Sequence, residues 1–509
     1  MVIKFYGHAC IYIKTDTVSI VTDPWLSKEG AFLTTWFQFP DNTELDLTPI
    51  RNVDYVVISH EHQDHFDVNF LKTLNPKTKI IIPKYTDSYL FETLRDNVTN
   101  EIIVASSLKK IQLSPDVTFC PVVQSVPIWD DCTLVFETPE GTIVDVNDMK
   151  IINTDFEWIQ KNFKINHLFI QFSGANWHPL TYDYSHEKKV EISKQKILNK
   201  FHHVKNLFKT SGAQNLIPSA GPPCFLNDDH FELNFSDESI FPTQADFYEF
   251  LKSEGASKNT FILMPGDTFD PKQDSAIVSE KNLKNEAFTN RRQYLENYRE
   301  RRKNIINQIP SSLKQPTGSL LEKCKKHFEP LISSSLYFRK KINGRLLLIV
   351  TGGIHEKIII DFTKEKDSVK SFEGEDSFYN LEIDAGILNL ILEKKLTWEQ
   401  LLLSLRFKSS RNPDIYNEAL IIFLRFADAN SYKQFELYET RRDFSDTFIL
   451  THEDRKYEVQ KYCPHAMGDL SAGRIIDDCI VCPNHGWAFS MEDGSCVAKN
   501  SSIHIKRIE

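Results

Sequence analysis
The chain has 509 residues, enough for two to four domains of ordinary size. A hydrophobic fraction of 41% with 12% aromatic residues excludes a disordered chain. Lys and Arg number 60 against 70 Asp and Glu; the net charge of −10 argues against a dedicated nucleic-acid binder but leaves room for a local basic pocket.

In chain order, residues 2–14 and 19–22 alternate like strands, and residues 54–59 (DYVVIS) form a short apolar run that reads as a buried strand. Residues 79–82 and 102–104 are similar. Residues 133–137 and 142–146 flank Pro139-Glu140-Gly141, a hairpin signal, and residues 165–171 make a further strand. Residues 188–209 have helical spacing, followed by an extended segment at 216–218. The spacing predicts a charged helix over 281–308. Its Arg291, Arg292, Arg299, Arg301, Arg302 and Lys303 make either a solvated face or a patch for an anion or partner. Strands are expected at 335–341, 346–351 and 357–361, then helices at 398–405 and 415–427. From about residue 430 the pattern turns to short strands and turns. The division this suggests is an α/β domain over 1–265, a mixed α+β extension over 266–428 that shapes a substrate pocket, and a small all-β domain over 429–509.

Nine Cys are unevenly placed, with Cys463, Cys479, Cys482 and Cys496 crowded toward the C-terminal end. A secreted disulfide scaffold is small and evenly dense in Cys, so the crowding points to a metal site in a reducing compartment. The N-terminal residues lack the apolar core of a signal peptide, and no apolar run of about 18 residues is present to span a membrane. The expectation is a soluble cytoplasmic protein.

Cys463-Pro464-His465 is followed, after sixteen intervening residues, by Cys482-Pro483-Asn484-His485. Two Cys and two His can bind zinc. The arrangement favours a Rieske [2Fe–2S] cluster, which takes two thiolates on one iron and two imidazoles on the other, and so needs two loops with one Cys and one His each. Gly468, Gly473 and Gly486 allow the backbone to turn around such a cluster. The following Gly486-Trp487-Ala488-Phe489 resembles the Rieske proteins. High-potential members carry an extra disulfide between the loops, but here Met467 and Gly468 stand where a Cys would be needed. The resemblance therefore implies the ferredoxin or oxygenase type, toward the low end of roughly −150 to +300 mV, delivering single electrons.

Near the N-terminus, the strand at 54–59 runs into His60-Glu61-His62-Gln63-Asp64-His65. A loop leaving a strand aims alternate side chains at one point, so His60 and His62 can share one metal while Asp64 and His65 face a second position. Imidazole and carboxylate suit zinc or iron. The H-x-H-x-D-H pattern resembles the metallo-β-lactamase superfamily, which implies an αββα sandwich. The resemblance makes Asp148 the acidic ligand that bridges metals, and Asp23 and His8 supporting groups. The superfamily usually supplies a further His between these points, yet none occurs between His65 and His167. Either the site is mononuclear, or Asp130 or Asp131 substitutes. His230 is the candidate for the last ligand, with His178 as its competitor.

A Rieske cluster beside such a site moves the reading from hydrolase toward oxygenase, because hydrolysis needs no electron donor. His8-Ala9-Cys10, Asp23-Pro24-Trp25-Leu26, Ile58-Ser59-His60, Phe172-Ser173-Gly174, Leu396-Thr397-Trp398 and Arg411-Asn412-Pro413-Asp414-Ile415-Tyr416 resemble the CMP-N-acetylneuraminate hydroxylases. In those the Rieske module comes first; here it comes last. The resemblance implies a monooxygenase with a Rieske cluster held by Cys463, His465, Cys482 and His485. It also implies non-haem iron, mononuclear or dinuclear, held by residues from His60, His62, Asp64, His65, Asp148 and His230, with dioxygen as co-substrate. The substrate would be a nucleotide sugar or a small natural-product precursor, with Arg406 and Arg411 available to a phosphate or carboxylate, or else engaged in salt bridges. The electron donor would be a ferredoxin, a cytochrome b5-like protein or an NAD(P)H-dependent flavin reductase. The oligomeric state stays open, a homo-oligomer included. The rival readings are a hydrolase carrying a Rieske redox sensor, a non-enzymatic electron carrier, and a diiron oxidase or N-oxygenase.

Overall fold
Alternation of side chains across strands builds the first layers. The computed structural model describes all residues except 127–129, 281, 309–312, 314–315, 466, 484–485, 497–500 and 509. Residues 2–14 fold as a hairpin of Val2–Gly7 and Cys10–Lys14. Ile11 and Ile13 face one way, into a core shared with a second sheet, and Cys10 and Tyr12 face the other. Ile81 and its neighbours Ile80 and Ile82 divide in the same way in strand Lys79–Pro83.

The chain separates into two compact units. The first is built chiefly from residues 1–125, 130–175 and 193–306. Its eight-stranded sheet runs Ser275–Ile277, Thr268–Asp270, Val2–Gly7, Cys10–Lys14, Ser19–Thr22, Tyr55–Val57, Lys79–Pro83 and Ile102–Ala105. A six-stranded sheet of Asn215–Ser219, Ile165–Gln171, Gly141–Asp145, Cys132–Thr138, Val117–Val123 and Ile111–Ser114 packs against it. Phe5, Ile13, Val57 and Ile81 meet Phe119, Leu134, Phe136, Phe169 and Ile217 between the sheets. Helices cover the outer faces: Phe70, Leu71, Leu90 and Leu94 on the first sheet, and Phe156, Ile159, Phe201, Val204, Phe247 and Leu251 on the second. This is the αββα sandwich. Each fully buried side chain of this size contributes roughly 1.5–3 kcal/mol.

The charged helix is shorter than expected, Arg291–Ile306. Arg292 and Arg301 lie on a solvated face, as one reading expected, and each pairs with a carboxylate. Arg292 grips Glu232 through both terminal nitrogens at 3.0 and 2.9 Å, and the buried Arg302 holds Asp41 at 3.2 Å.

The second unit holds chiefly residues 176–192 and 307–509. A five-stranded sheet of Val369–Ser371, Glu356–Asp361, Arg345–Thr351, Tyr379–Asp384 and Phe407–Arg411 carries helices. Two expectations fail here. Residues 335–341 are not a strand: Ser335 accepts from Phe338 N and starts helix Leu336–Ile342, which Asn343 ends in the left-handed conformation. Residues after 430 do not begin with strands either, since Asp428 caps helix Ala429–Arg441. In both places the buried aromatic residues decide: Phe338 packs on Tyr432 and Phe435, with ring centroids 4.7 and 5.8 Å apart. Two three-stranded sheets follow, Thr447–His452, Arg455–Gln460 and Ile505–Arg507, and Arg474–Ile476, Cys479–Val481 and Ala488–Ser490. No described helix is long and apolar enough to cross a membrane.

Candidate metal centres
Strand direction brings the N-terminal motif together. Val2–Gly7 and Ser19–Thr22 are each antiparallel to Cys10–Lys14, and Ser19–Thr22 is parallel to Tyr55–Val57. His8, Asp23 and His60 therefore leave the sheet at one edge. In the second sheet the parallel strands Gly141–Asp145, Ile165–Gln171 and Asn215–Ser219 end together, and Ala220 N donates to His8 O at 2.8 Å. His8, Asp23, Asn147 and Ala220 all turn with positive φ, of 55°, 35°, 55° and 47°. Residues with side chains rarely adopt this, and such turns gather where side chains are held for function.

Asp23 is fully buried and organises two imidazoles. Its Oδ1 accepts from Ser59 N at 2.6 Å; its Oδ2 accepts from Ser59 Oγ at 2.5 Å and lies 2.9 Å from His65 Nδ1. Ser59 Oγ spends its proton on Asp23, so at 2.8 Å it accepts from His60 Nδ1. Both rings are thereby fixed with Nε2 as the lone-pair nitrogen. His60 Nε2 lies 2.8 Å from His62 Nδ1, and His65 Nε2 lies 3.4 Å from Asp148 Oδ1 and 3.9 Å from Asp64 Oδ2. His8 Nε2 is 3.1 Å from Asp64 Oδ2.

Two triads emerge within mutual reach of a single ion: His60, His62 and Asp148, and His8, Asp64 and His65. Asp148, a member of the first, also reaches His65 of the second at 3.4 Å. The expected ligands His60, His62, Asp64, His65 and Asp148 are thus brought together. Asp131 Oδ1 lies 3.9 Å from His60 Nε2. His230 stands apart from these triads. It packs beside Phe225 and its Nδ1 lies 2.7 Å from Asn227 Oδ1. His178 belongs to the second unit, edge-on to Tyr182 and Tyr184 at 4.9 and 5.8 Å.

The residues suit a cation. Asp64 Oδ1, His65 Nε2 and Asp148 Oδ1 are buried without hydrogen-bond partners. Ligands each about 2.1 Å from one ion sit roughly 3–3.5 Å apart, close to the spacings seen. Burial works to keep His65 neutral, yet Asp148 and Asp64 outweigh it and hold its imidazole well above the usual range. Burial likewise works to raise Asp148, but His65 holds its carboxyl below the usual range. A metal ion would take the place of that shared proton.

In the second unit Cys463 and Cys482 are both buried. Burial first, then the adjoining Cys482, push the Cys463 thiol up, as expected for two sulfurs facing each other without their metal counter-charge. Cys482 N donates to Trp487 O and Cys463 N to Gly468 O, at 2.7 and 2.8 Å, closing the two loops. Gly486 has φ 71°, and a Cβ on Gly473 would meet Val481 O at 2.7 Å, so both turns need glycine. His465 stacks flat on Trp487 at 4.5 Å, and its Nε2 pairs with Glu418 at 2.8 Å. His485 lies outside the described residues. Glu418 opens helix Glu418–Phe426, and nothing in the sequence ties it to a motif so far downstream. Ser59 was within reach of sequence reasoning, since it adjoins His60 on the strand that aims it. Arg411, a candidate for anions, instead binds Asp414 at 2.5 Å and lies over the Tyr182 ring at 5.0 Å.

Comparison with known proteins shows which domains these residues lie in. A beta-lactamase superfamily domain matches residues 2–119, an Rv3818-like, SCP2-like domain residues 320–440, and a Rieske [2Fe-2S] domain residues 426–507. The chain thus carries a beta-lactamase-type domain and a C-terminal Rieske domain. A Mycolicibacterium smegmatis protein whose name describes a Rieske 2Fe-2S iron-sulfur protein is 28% identical over 532 residues, 98% of each chain. The cytidine monophosphate-N-acetylneuraminic acid hydroxylase of Asterias rubens is 28% identical over 203 residues, 38% of this chain and 30% of that one. The cholesterol 7-desaturase nvd of Xenopus laevis is 49% identical over 47 residues, 9% of this chain and 10% of its own.

Proposed function
We propose that the protein is an iron-dependent monooxygenase that oxidises a small molecule at the His and carboxylate site of the first unit, with electrons drawn through the Rieske domain. The pairing of these two centres in one chain carries the reading. A beta-lactamase-type site that only hydrolyses needs no one-electron donor, whereas dioxygen chemistry does. The partial likeness to a named hydroxylase and a named desaturase supports it.

When bound, the cluster supplies single electrons and the iron a place to activate dioxygen. The chain's own residues do the holding. Asp23 and Ser59 keep the Nε2 lone pairs of His60 and His65 turned to the site. Asp148 would serve both triads, and Asp131 would complete the His60 side, so the donor set has room for two ions. Cys463 and Cys482 would hold one cluster iron, and His465 with His485 the other. A ferredoxin, cytochrome b5-like protein or flavin reductase would deliver the electrons.

The test is reoxidation. The protein is reduced without air, mixed with dioxygen, and followed through the cluster's visible absorption. Asp148→Asn, with its cluster absorption intact, should reoxidise about tenfold more slowly or worse. Equal rates would contradict the proposal.

A further inference from the structure
The edge of the second sheet that carries Asp148 also carries a cation that the metal chemistry leaves unused. Lys200 stands on helix His186–Ser211, half-buried, and its Nζ donates to Gln171 Oε1 at 3.0 Å, where strand Ile165–Gln171 ends. Gln171 N donates to Asn147 O at 3.3 Å, so the ammonium sits beside the turn that presents Asp148. Its charge interacts with Asp148 and Asp131 and opposes that of Lys150. Among the described residues, its hydrogen-bond partner is a neutral amide, and no carboxylate pairs with it.

The neighbouring strand ends hold polar groups with unused capacity. Both side-chain polar atoms of Asn147, both of Gln124, and the hydroxyls of Ser173 and Ser219 are buried without hydrogen-bond partners. Ser219 is the residue paired with Gln171 across the parallel strands. Buried polar groups are nearly always satisfied, and a half-buried ammonium beside them favours an anionic partner. A small ligand rich in acceptors would satisfy donors among them such as Asn147 Nδ2 and the two hydroxyls.

We propose that Lys200, aided by Asn147, Ser173 and Ser219, binds an oxyanion of the substrate, a carboxylate or a phosphoryl group, beside the metal-binding residues. The proposal deepens the oxygenase reading, on which it rests for the word substrate, by making that substrate a small organic anion. Anchoring one charged end would hold the rest of the molecule over the His and carboxylate site, which is how positioning lowers a barrier. Burial first, then Lys150, push the Lys200 ammonium down to about 7 against the pull of Asp148 and Asp131; a bound oxyanion adds to that pull.

Calorimetric titration of the full-length, metal-loaded protein with inorganic phosphate, and separately with succinate, tests this. At least one anion should bind the wild type, and which one tells a phosphoryl from a carboxylate source. Lys200→Met should weaken that binding about tenfold or more, and Lys200→Arg should keep it within roughly threefold. Lys200→Gln replaces the Met variant should the latter melt early. No binding of either anion, or equal binding to the variants without the charge, overturns the proposal; the latter is also what an ion held by metal alone would give. Dioxygen and electrons do not enter the titration, so its failure is separable from failure of the oxygenase reading.

Discussion
At the scale of single residues, Asp23 explains why two imidazoles present the same nitrogen. It accepts a hydrogen bond from His65 directly and, through Ser59, sets the ring of His60. Asp23→Asn should keep the fold but lower metal affinity by about 10- to 100-fold, because such supporting carboxylates fix tautomer and ligand basicity. Competition against a coloured chelator measures it, and unchanged affinity would refute the assignment. Ser59→Ala should have the smaller effect, since His65 keeps its own contact. The His60 to His65 run was legible because a strand fixes which way its loop leaves. The nearness of Asp131 to His60 was not, since it depends on where strand Cys132–Thr138 begins. The place of Glu418 on His465 was not legible either, because it arises from packing between segments with no shared pattern.

At the scale of elements, the strands of the first unit were legible through their alternation, and the failures came where capping outweighs alternation. Ser335 and Asn343 bracket a helix that an alternating reading mistakes for a strand. Ser335→Ala should cost about 1 kcal/mol in denaturant unfolding. Leu396-Thr397-Trp398, singled out by resemblance, proves to be a helix start. Thr397 forms a capping box with Gln400, and Trp398 Nε1 donates to His327 Nε2 at 3.2 Å. Burial first, then Lys394, push His327 down to about 4. An unfolded His takes up its proton near pH 6.5, so the unfolded state binds more protons between about pH 4 and 6.5. Stability from this contact is therefore complete above that window, falls as the pH drops through it, and is lost below, by up to about 3 kcal/mol. His327→Gln should flatten that slope in unfolding curves recorded from pH 4 to 7; an unaltered slope would place the proton elsewhere.

At the scale of the molecule, the chemistry of the two ends was legible, while the middle was legible only in elements such as Arg345–Thr351, Glu356–Asp361 and Glu418–Phe426. Both ends announce themselves through Cys, His and Asp at fixed spacing. The SCP2-like region has Cys324, His327 and His355 but no motif of such residues at close spacing, and only buried apolar periodicity marks it. The placing of segment 176–192 in the second unit was beyond reach for another reason. It rests on bridges such as Ser409 N to Thr181 O at 2.8 Å and Asp183 N to Ser409 O at 3.2 Å, between residues more than 220 apart in sequence, which leave no local trace. The proposed chemistry needs a one-electron cluster and an iron site in this one chain. Metal analysis with electron paramagnetic resonance of the anaerobically reduced protein tests it most directly. The account predicts a Rieske signal with about three or four irons per chain, the iron beyond the cluster surviving in Cys463→Ser and vanishing in Asp148→Asn. A Rieske signal accompanied by zinc alone, or by no metal outside the cluster, would contradict it.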